Sequence, residues 1–370
     1  MGADLERLPV GTRVCVVGGG FAGLTVAAGL ARRGVQVTLL ERAEALLASQ
    51  RNNRVRSIHP HIHEWPRAGS LAPAAGLPLL DWHAGLSADM ASEVLRQFDA
   101  EAAHSRLRVE TGAKPIELAP GPMVAWGSQP AVGFDAVILA LGVGIEKSFG
   151  ALPLRSYWTD ETIAERRAGP PRHHLVTGIG EGGVIDVLYL RLAGFSHAQV
   201  AAELDATLGM RAVEAELLAI EREIDGLSDE EANRILEERY RALAVPAAVD
   251  RGLRARLRDD TRVTLNGPER HPLAPRADIL NRFLISRLVA LDAIDYLPGK
   301  LVAIESEGDG FRFELDDGSR HRVDDVNIRH GTVPALKSGF PEIWQRYHPE
   351  RVRLPHLVPE PSWPSGYFDR

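Results

Sequence analysis

Short apolar runs that alternate with amphipathic stretches predict a mixed α/β protein. The run from Val14 to Val17 is rich in β-branched residues, which is typical of a buried parallel strand. Helical spacing of apolar residues follows over 22–32, and a second apolar run, Gln36 to Leu40, ends at Glu41. The start of the chain therefore predicts a strand–helix–strand unit with both strands in one parallel sheet.

The apolar pattern continues to residue 142 with one long interruption. An amphipathic helix is predicted at 87–103. Four strands are predicted after it, at 107–111, 115–118, 123–126 and 134–142. The middle two of these strands predict a small β-meander. The interruption, residues 42–86, holds several prolines and glycines together with Arg, His and Trp, which is typical of a functional loop.

The same order of elements begins again near residue 173. Strands are predicted at 173–177, 261–265, 293–297 and 324–331, helices at 184–192 and 278–291, and a meander at 301–305, 311–315 and 320–323. Residues 196–258 predict a helical insert, in which Ser228-Asp-Glu-Glu231 is a capping-box start. The chain thus predicts two halves of one architecture, with the insert after the first helix of the second half.

A glycine motif follows the first strand of each half. The pattern G-x-G-x-x-G occurs at Gly18, Gly20 and Gly23 and again at Gly178, Gly180 and Gly183. The first glycine allows a tight turn, the second lets the backbone approach a pyrophosphate, and the third lets the helix pack closely. The helix then points its N-terminal amides at the phosphates. In the first half Glu41, 18 residues after Gly23, can accept the ribose hydroxyls of an adenosine.

Composition narrows the class of protein and of partner. Charged residues make up 25% and hydrophobic residues 45% of the 370 residues, which is ordinary for a globular enzyme. The net charge of −7 without a basic block excludes a nucleic-acid partner. Cys15 is the only cysteine, so neither a disulfide framework nor a CxxC redox pair exists within one chain. We expect a cytoplasmic protein without a membrane span, because no signal peptide and no long apolar run are seen.

The chain resembles FAD-dependent oxidoreductases of the two-dinucleotide-binding-domain (glutathione-reductase-like) superfamily. The resemblance lies in the order of elements, in the Ala-Gly-Leu run after Phe21 and in Glu41-Arg42 at the end of the second strand. The resemblance implies two Rossmann-like halves, each with a β-meander, and FAD as cofactor. It implies an FAD-binding domain at 1–150 and a second Rossmann-like domain formed by 151–195 and 259–335. The helical insert is 196–258, and 336–370 form a C-terminal tail that packs back.

The resemblance also implies which residues bind FAD. They belong to the first glycine turn, the end of the second strand, the following loop and the end of the last strand, namely Gly18, Gly20, Phe21, Ala22, Gly23, Glu41, Arg42, Arg54, Arg56 and Gly142. One departure stands out: the late Gly-Asp motif, whose aspartate binds the ribityl or pyrophosphate part of FAD in the family, has no counterpart after Gly331.

The second glycine turn, Gly178, Gly180 and Gly183, leaves two interpretations open. It holds NAD(P)H at this place in the related family, and Arg270 and Arg276 are then placed to meet a 2′-phosphate. Glu181 argues against this, since a carboxylate inside a phosphate loop repels pyrophosphate unless it points outward. The alternative is a relic of duplication or a glycine turn that packs against the first half.

The loop His59-Pro-His-Ile-His63 invites three interpretations. On a strand the alternating histidines would share a face, which suits a metal, and covalent flavin attachment is a second option. We favour a loop that lines the flavin or substrate pocket, and we predict no metal. Arg54 and Arg56 would then bind FAD phosphate or a substrate carboxylate, since a guanidinium forms bidentate hydrogen bonds with either group.

Candidate catalytic side chains are assigned by position alone. His61 and His63 titrate in the range useful for acid–base catalysis. Tyr157 lies with Trp158 where the two halves join, a usual place for a flavoprotein substrate, although packing of the junction is the favoured explanation for the pair.

The sequence therefore predicts an FAD-dependent oxidoreductase, specifically an NAD(P)H-linked oxidase or monooxygenase on a small metabolite. A direct amine or amino-acid oxidase is the nearest alternative. A non-catalytic dinucleotide-binding sensor or accessory subunit and an NAD-only dehydrogenase also stay open. The predicted partners are a small-molecule substrate and, through the helical insert, a second copy of the chain or a partner protein, with neither nucleic acid nor membrane involved.

Overall fold

The computed structural model describes residues 9, 11–103, 106–150, 152, 155–159 and 162–353. Within these ranges no helix combines the length and the apolarity needed to cross a bilayer. The predicted cytoplasmic location stays a prediction.

The first half is an open parallel sheet with helices on its faces. Its elements up to the long helix are β1 (Arg13–Val17), α1 (Phe21–Arg32), β2 (Gln36–Leu40), α2 (Ala48–Arg51), β3 (Ser57–Ile58), β4 (Gly85–Leu86) and α3 (Ser87–Ala103). Then follow β5 (Leu107–Glu110), the meander β6 (Ile116–Ala119), β7 (Met123–Trp126) and β8 (Val132–Gly133), and finally β9 (Ala136–Leu139) and β10 (Ile145–Glu146). The sheet order is β5-β2-β1-β9, so the order of the strands reverses at β1, which is where open α/β sheets bind ligands.

The second half repeats this order. It comprises β11 (Arg172–Thr177), α4 (Glu181–Arg191), β12 (Thr261–Gly267), α9 (Ile279–Ala290), β13 (Asp295–Pro298), the meander β14 (Leu301–Glu307), β15 (Gly310–Leu315) and β16 (Arg320–Val323), then β17 (Asp325–Ile328) and β18 (Thr332–Val333). The sheet order β13-β12-β11-β17 matches that of the first half. The predicted fold class, two Rossmann-like halves each with a β-meander, is thereby confirmed, whereas the domain boundaries stay predictions.

The insert is helical, as predicted. It consists of α5 (His197–Asp205), α6 (Met210–Ile224), α7 (Asp229–Ala242) and α8 (Ala247–Ala255). The predicted capping box is present, because Ser228 accepts from the Glu231 amide while the Glu231 side chain accepts from the Ser228 amide. The insert shares one hydrophobic core with α4 and α9. Its predicted role as a contact for a second copy or a partner stays a prediction.

The histidine loop does not form the strand on which its metal interpretation depended. Residues 59–61 are irregular, with a bend at 60–61, and a 3₁₀ turn occupies Ile62–Glu64. The three histidines therefore do not alternate along one strand face, because the backbone is coiled there. The described residues hold no cluster of three His, Cys, Asp or Glu side chains suited to a metal ion.

The segment that leaves the first half pairs with the end of the second half. β10 and β18 pair antiparallel, with Ile145 opposite Val333. A Cβ on Gly144 would lie 1.8 Å from the Val333 carbonyl oxygen, so only glycine fits this approach. After β18 come α10 (Ala335–Gly339) and α11 (Pro341–Arg353), and the rest of the predicted C-terminal tail lies outside the described residues.

Candidate functional site

The two glycine loops have the same geometry. Gly18 has φ of +114° and Gly178 has φ of +113°. A Cβ on Gly18 would lie 2.3 Å from the carbonyl oxygen of Ala140, and one on Gly178 would lie 2.2 Å from that of Arg329. Both loops are therefore wedged against the last strand of their own sheet, and the turn out of the first strand requires glycine in both.

The middle glycine of each loop leaves room for a ligand. A Cβ on Gly20 would meet nothing within 4 Å, and one on Gly180 would meet only the Arg276 side chain, at 3.5 Å. Each of these glycines is the N-cap of the following helix, so the free amides of α1 and α4 point past it. This open approach at a helix N-terminus is what a pyrophosphate needs.

Glu41 stands beside the first loop, as the motif predicts. Its carboxylate accepts hydrogen bonds from the amides of Gly19, at 2.6 Å, and Ala43, at 2.7 Å. Each carboxylate oxygen keeps a second lone pair that ribose hydroxyls can use. Together with the open space at Gly20, this arrangement fits the ADP half of FAD.

A cavity of about 1070 Å³ opens at the carboxyl end of the second sheet. Its lining comes mostly from the second half and includes the glycine loop, the ends of β12 and β17 and the β13–β14 turn. From the first half it takes Arg42, Ser49 and residues 143–146, and from the junction Tyr157 and Trp158. The cavity thus reaches from the second loop toward the first half, which suits a dinucleotide better than a compact metabolite.

Glu181 lines this cavity, but its hydrogen bonds lead away from the phosphate position. Its carboxylate accepts from the Asp278 amide at 2.8 Å and from the Asn281 side-chain amide at 2.6 Å, both at the start of α9. Burial, aided by the nearby Asp278 carboxylate, raises the pKa of Glu181 to about 7. The Glu181 carboxylate, which was expected to repel an anion, is therefore hydrogen-bonded to the start of α9 and is partly protonated at neutral pH.

A buried charge cluster lies beneath the second loop. Asp186, on α4 and fully buried, pairs with Arg56 at 2.7 Å and with Arg329 at 2.8 Å. Tyr157 covers Arg56, with its ring centroid 3.5 Å from the guanidinium carbon, and burial raises the pKa of this phenol. The Arg56 side chain thus ties the loop of the first half to a helix of the second. Its predicted contact with FAD phosphate or a substrate carboxylate is untested, and Asp186 already engages its guanidinium.

His330 enters the same cavity and was not foreseen from the sequence. Its Nε2 lies 2.8 Å from Thr177 Oγ1, and its ring meets Phe149 edge-on. Burial lowers the pKa of His330, with Lys147 contributing, so the imidazole is neutral at neutral pH. The signal was in the repeat: the last strand of the first half ends in Ala140-Leu-Gly, whereas that of the second ends in Arg329-His-Gly.

The remaining predicted site residues fall into three groups. Arg42 and Tyr157 line the cavity, together with Gly178 and Gly180. Phe21 and Ala22 begin α1 beside the first loop, and Gly183 packs α4 onto Gly178 as Gly23 packs α1 onto Gly18. Arg54 and Gly142 are exposed, and neither belongs to the cavity lining.

The two predicted acid–base histidines lie outside the cavity. His61 Nε2 is 3.1 Å from the Ala74 carbonyl oxygen, and His63 is exposed beside Glu64. Neither residue is part of the cavity lining. Their catalytic role stays a prediction, and the geometry favours His330 as the imidazole near a bound ligand.

Comparisons with known proteins agree with the geometry of the first half. The family model described as FAD dependent oxidoreductase (DAO) matches residues 13–112. None of the curated proteins matches the chain. Among solved structures, Lactococcus lactis thioredoxin reductase (FR conformation) is similar at 14% identity and a TM-score of 0.48, over 89% of this chain and 81% of that one.

Two further structures have comparable scores. They are the bacillithiol disulfide reductase Bdr of Staphylococcus aureus (12% identity, TM-score 0.47, 88% and 78% covered) and the lysine monooxygenase NbtG of Nocardia farcinica (14%, 0.46, 89% and 82%). At TM-scores below 0.5 such likenesses say nothing about the reaction. The family match and the loop geometry together show that residues 13–112 form an FAD-dependent oxidoreductase domain, with FAD as its cofactor.

Proposed function

We propose that the chain is an FAD-dependent oxidoreductase whose second half binds NAD(P)H, working as an oxidase or monooxygenase on a small metabolite. The cavity at the second glycine loop carries this proposal. Its volume of about 1070 Å³ has room for a dinucleotide, since typical ligand pockets measure roughly 300–1,000 Å³. Bound FAD supplies the two-electron chemistry, and the protein supplies binding, orientation and exclusion of water.

The charges around the cavity favour an anionic ligand. Four cationic side chains line it, Arg42, Arg276, Lys300 and Arg329, against the two carboxylates Glu146 and Glu181. Arg276 and Arg329 also pair with carboxylates outside the lining, Glu269 and Asp186, so the positive field at a ligand comes mainly from Arg42 and Lys300. A dinucleotide with its pyrophosphate fits this field better than an amine substrate does.

The cysteine inventory weighs against a disulfide reductase. Cys15 is the only cysteine of the chain, and it is fully buried in β1. Burial raises the pKa of its thiol to about 12. Because the thiolate is the reactive form, this cysteine has neither a partner nor the reactivity for dithiol chemistry.

The repeat provides a matched pair of variants for the test. Gly20→Glu places a carboxylate at the mouth of the first loop, and Gly180→Glu does the same at the second. The wild-type protein should show flavin absorption and should bleach on anaerobic addition of NADPH or NADH. Gly20→Glu should lose flavin, whereas Gly180→Glu should keep flavin and lose bleaching by the reduced nicotinamide.

Other outcomes separate the alternatives. A coloured protein that bleaches with an amine or amino acid but with neither nicotinamide would support the direct oxidase instead. A colourless protein that takes up no FAD but binds an adenine dinucleotide would support the sensor or the NAD-only dehydrogenase. Colour that stays in the acid pellet would show a covalent flavin.

A further inference from the structure

A row of polar side chains crosses the carboxyl ends of three neighbouring strands in the second sheet. At the ends of β12, β11 and β17 the row consists of Asn266, Thr177 and His330. The aligned positions of the first half hold Leu40, Val17 and Leu141, which pack in one hydrophobic cluster. The second half thus has a polar row where the first has an apolar one, at the edge where open α/β sheets bind ligands.

Asn266 fixes the direction of the hydrogen bonds in this row. Its Nδ2 donates to the carbonyl oxygens of Leu297 and Gly299, both at 2.9 Å. Its Oδ1 accepts the single hydroxyl proton of Thr177, at 2.8 Å. Because that proton is used, Thr177 Oγ1 can only accept from His330 Nε2, which is 2.8 Å away. The row therefore places the proton of the His330 ring on Nε2.

The other ring nitrogen of His330 is then an unprotonated hydrogen-bond acceptor. Burial lowers the pKa of this imidazole, with Lys147 contributing, so the ring is neutral at neutral pH and Nδ1 keeps its lone pair. Within the described part of the chain no hydrogen bond reaches Nδ1, and the atom is not enclosed by protein. The side chain lines the cavity. His330 thus offers a bound ligand one acceptor atom on a ring whose orientation is fixed.

The surroundings of His330 favour an uncharged donor group on the ligand. Phe149 meets the ring edge-on, with 5.7 Å between the centroids. Val143 and Ile145 line the same cavity, on the segment that pairs with β18. A lone pair among apolar side chains repels phosphate and carboxylate but accepts from an uncharged N–H group. Among the uncharged donors of NAD(P)H, the carboxamide is the one attached to a flat apolar ring.

We propose that His330 is a specificity-determining residue, whose Nδ1 accepts a hydrogen bond from the carboxamide N–H of the nicotinamide ring. The inference rests on the proposed function, since it names the contact that recognises the uncharged end of the nucleotide. Asn266 and Thr177 are positioning residues, because they hold the imidazole in the tautomer that leaves Nδ1 unprotonated.

The test compares two ligands on the FAD-loaded protein by calorimetry. They are NADP⁺ and nicotinic acid adenine dinucleotide phosphate, which has a carboxylate in place of the carboxamide. The wild type should prefer NADP⁺, because the carboxylate has no N–H and is repelled by the Nδ1 lone pair. His330→Leu, which introduces the residue of the aligned position in the first half, should reduce this preference about fivefold or more, the size of one hydrogen bond between uncharged groups.

A matched control and a third ligand sharpen the result. His321 is a half-buried histidine of β16 outside the cavity lining, so His321→Leu should keep the wild-type preference. The third ligand, 2′-phospho-ADP-ribose, has ribose hydroxyls but no nicotinamide, and its Kd should be the same in His330→Leu and in the wild type. A rise in that Kd equal to the rise for NADP⁺ would overturn the carboxamide contact in favour of a ribose hydroxyl.

The ratio of the two Kd values separates recognition from a merely structural role. A structural role would weaken both dinucleotides by one factor and leave the preference unchanged, which would overturn the inference. If His330→Leu fails to fold, Thr177→Val takes its place, since it frees the tautomer of His330 and should also lower the preference; a wild-type preference in that variant would overturn the inference.

Failure of the inference is distinguishable from failure of the proposed function. If the preference depends on His330 but NADPH does not bleach the flavin, the contact stands and the proposed function fails. If NADPH bleaches the flavin and the preference is the same in His330→Leu, only the inference fails. If the wild type binds neither dinucleotide, both fail.

Discussion

The residue that follows the second strand of each strand–helix–strand unit, where an adenosine ribose binds, is different in the two halves. β2 is followed by Glu41, whereas the aligned position at the end of β12 is Gly267. A Cβ on Gly267 would lie 2.8 Å from Ile179, so a carboxylate side chain does not fit there. The second half therefore lacks the acid that repels a 2′-phosphate in the first, while Arg276 lines its cavity.

We accordingly expect NADPH to be preferred over NADH. Arg276 is half exposed and pairs with Glu269 at 2.8 Å, which places its guanidinium at the rim of the cavity. Arg276→Gln should reduce the ratio of NADPH to NADH affinity about tenfold, the size of one phosphate contact. Stopped-flow reduction of the flavin with each nucleotide measures this ratio. An unchanged ratio in this variant, with Arg262→Gln at an exposed arginine of β12 as control, would rule out Arg276 as the 2′-phosphate contact.

Glu181 should give the protein a specific pH dependence. Its pKa is about 7 in the folded protein against an ordinary value of 4.5, so the folded state binds more protons between these values. The free energy of unfolding should therefore fall as pH rises from about 4.5 to about 7 and level off above, with a limiting slope of about 1.4 kcal/mol per pH unit. Glu181→Gln should lack this component in denaturation curves at pH 5, 6, 7 and 8. The same slope in both proteins would contradict it.

At the scale of elements, the hydrophobic pattern predicted the regular parts of the chain well. Helix 87–103 and strand 123–126 were predicted with the bounds that the structure has. The first helix of the second half was predicted to start at 184 but starts at Glu181. The first turn was missed because Gly182 and Gly183 have low helix propensity. In the structure this preference is overridden by the close packing of the helix on the glycine loop.

The candidate site was only partly predictable, because its contacts join distant parts of the chain. The glycine motifs and Glu41 could be placed from local spacing, since each belongs to one strand–helix–strand unit. The pairing of Arg56 with Asp186 links residues 130 positions apart, and no local pattern encodes it. The same holds for the hydrogen bond between Glu181 and the Asp278 amide, which links residues 97 positions apart. It removes the reason for expecting Glu181 to repel a phosphate.

The loop of the first half contributes a side chain to the core of the second half. Trp65 is fully buried in the cluster that contains α4 and α9, and its Nε1 donates to Asp205 at 3.0 Å. Trp65→Ala should lower the free energy of unfolding by about 3–5 kcal/mol through the lost burial and the cavity it leaves. Trp65→Phe keeps most of the ring contacts and should cost about 1 kcal/mol, the hydrogen bond alone. A Trp65→Ala midpoint equal to that of the wild type would show that the indole does not stabilise the core.

At the scale of the whole molecule, the halves are joined by more than the pairing of β10 with β18. Asn53 donates to the Trp158 carbonyl oxygen at 2.8 Å, and the Ser57 amide donates to the Tyr189 hydroxyl at 2.9 Å. With the Arg56–Asp186 pair these contacts run along the loop that follows β2. Polar contacts of this kind are satisfied only when both halves are in place, so opening the junction leaves several groups unpaired.

We therefore expect the loaded protein to unfold as one unit. A chain with independent halves would release its flavin and lose its helices at different temperatures, because the flavin reports on the first half and the insert supplies much of the helix. Flavin fluorescence and far-UV circular dichroism should instead give coincident melting curves in the wild type. In Trp65→Ala the two curves should separate, since the second core is weakened while the first loop is intact. Two distinct transitions already in the wild-type protein would show that the buried contacts do not couple the halves.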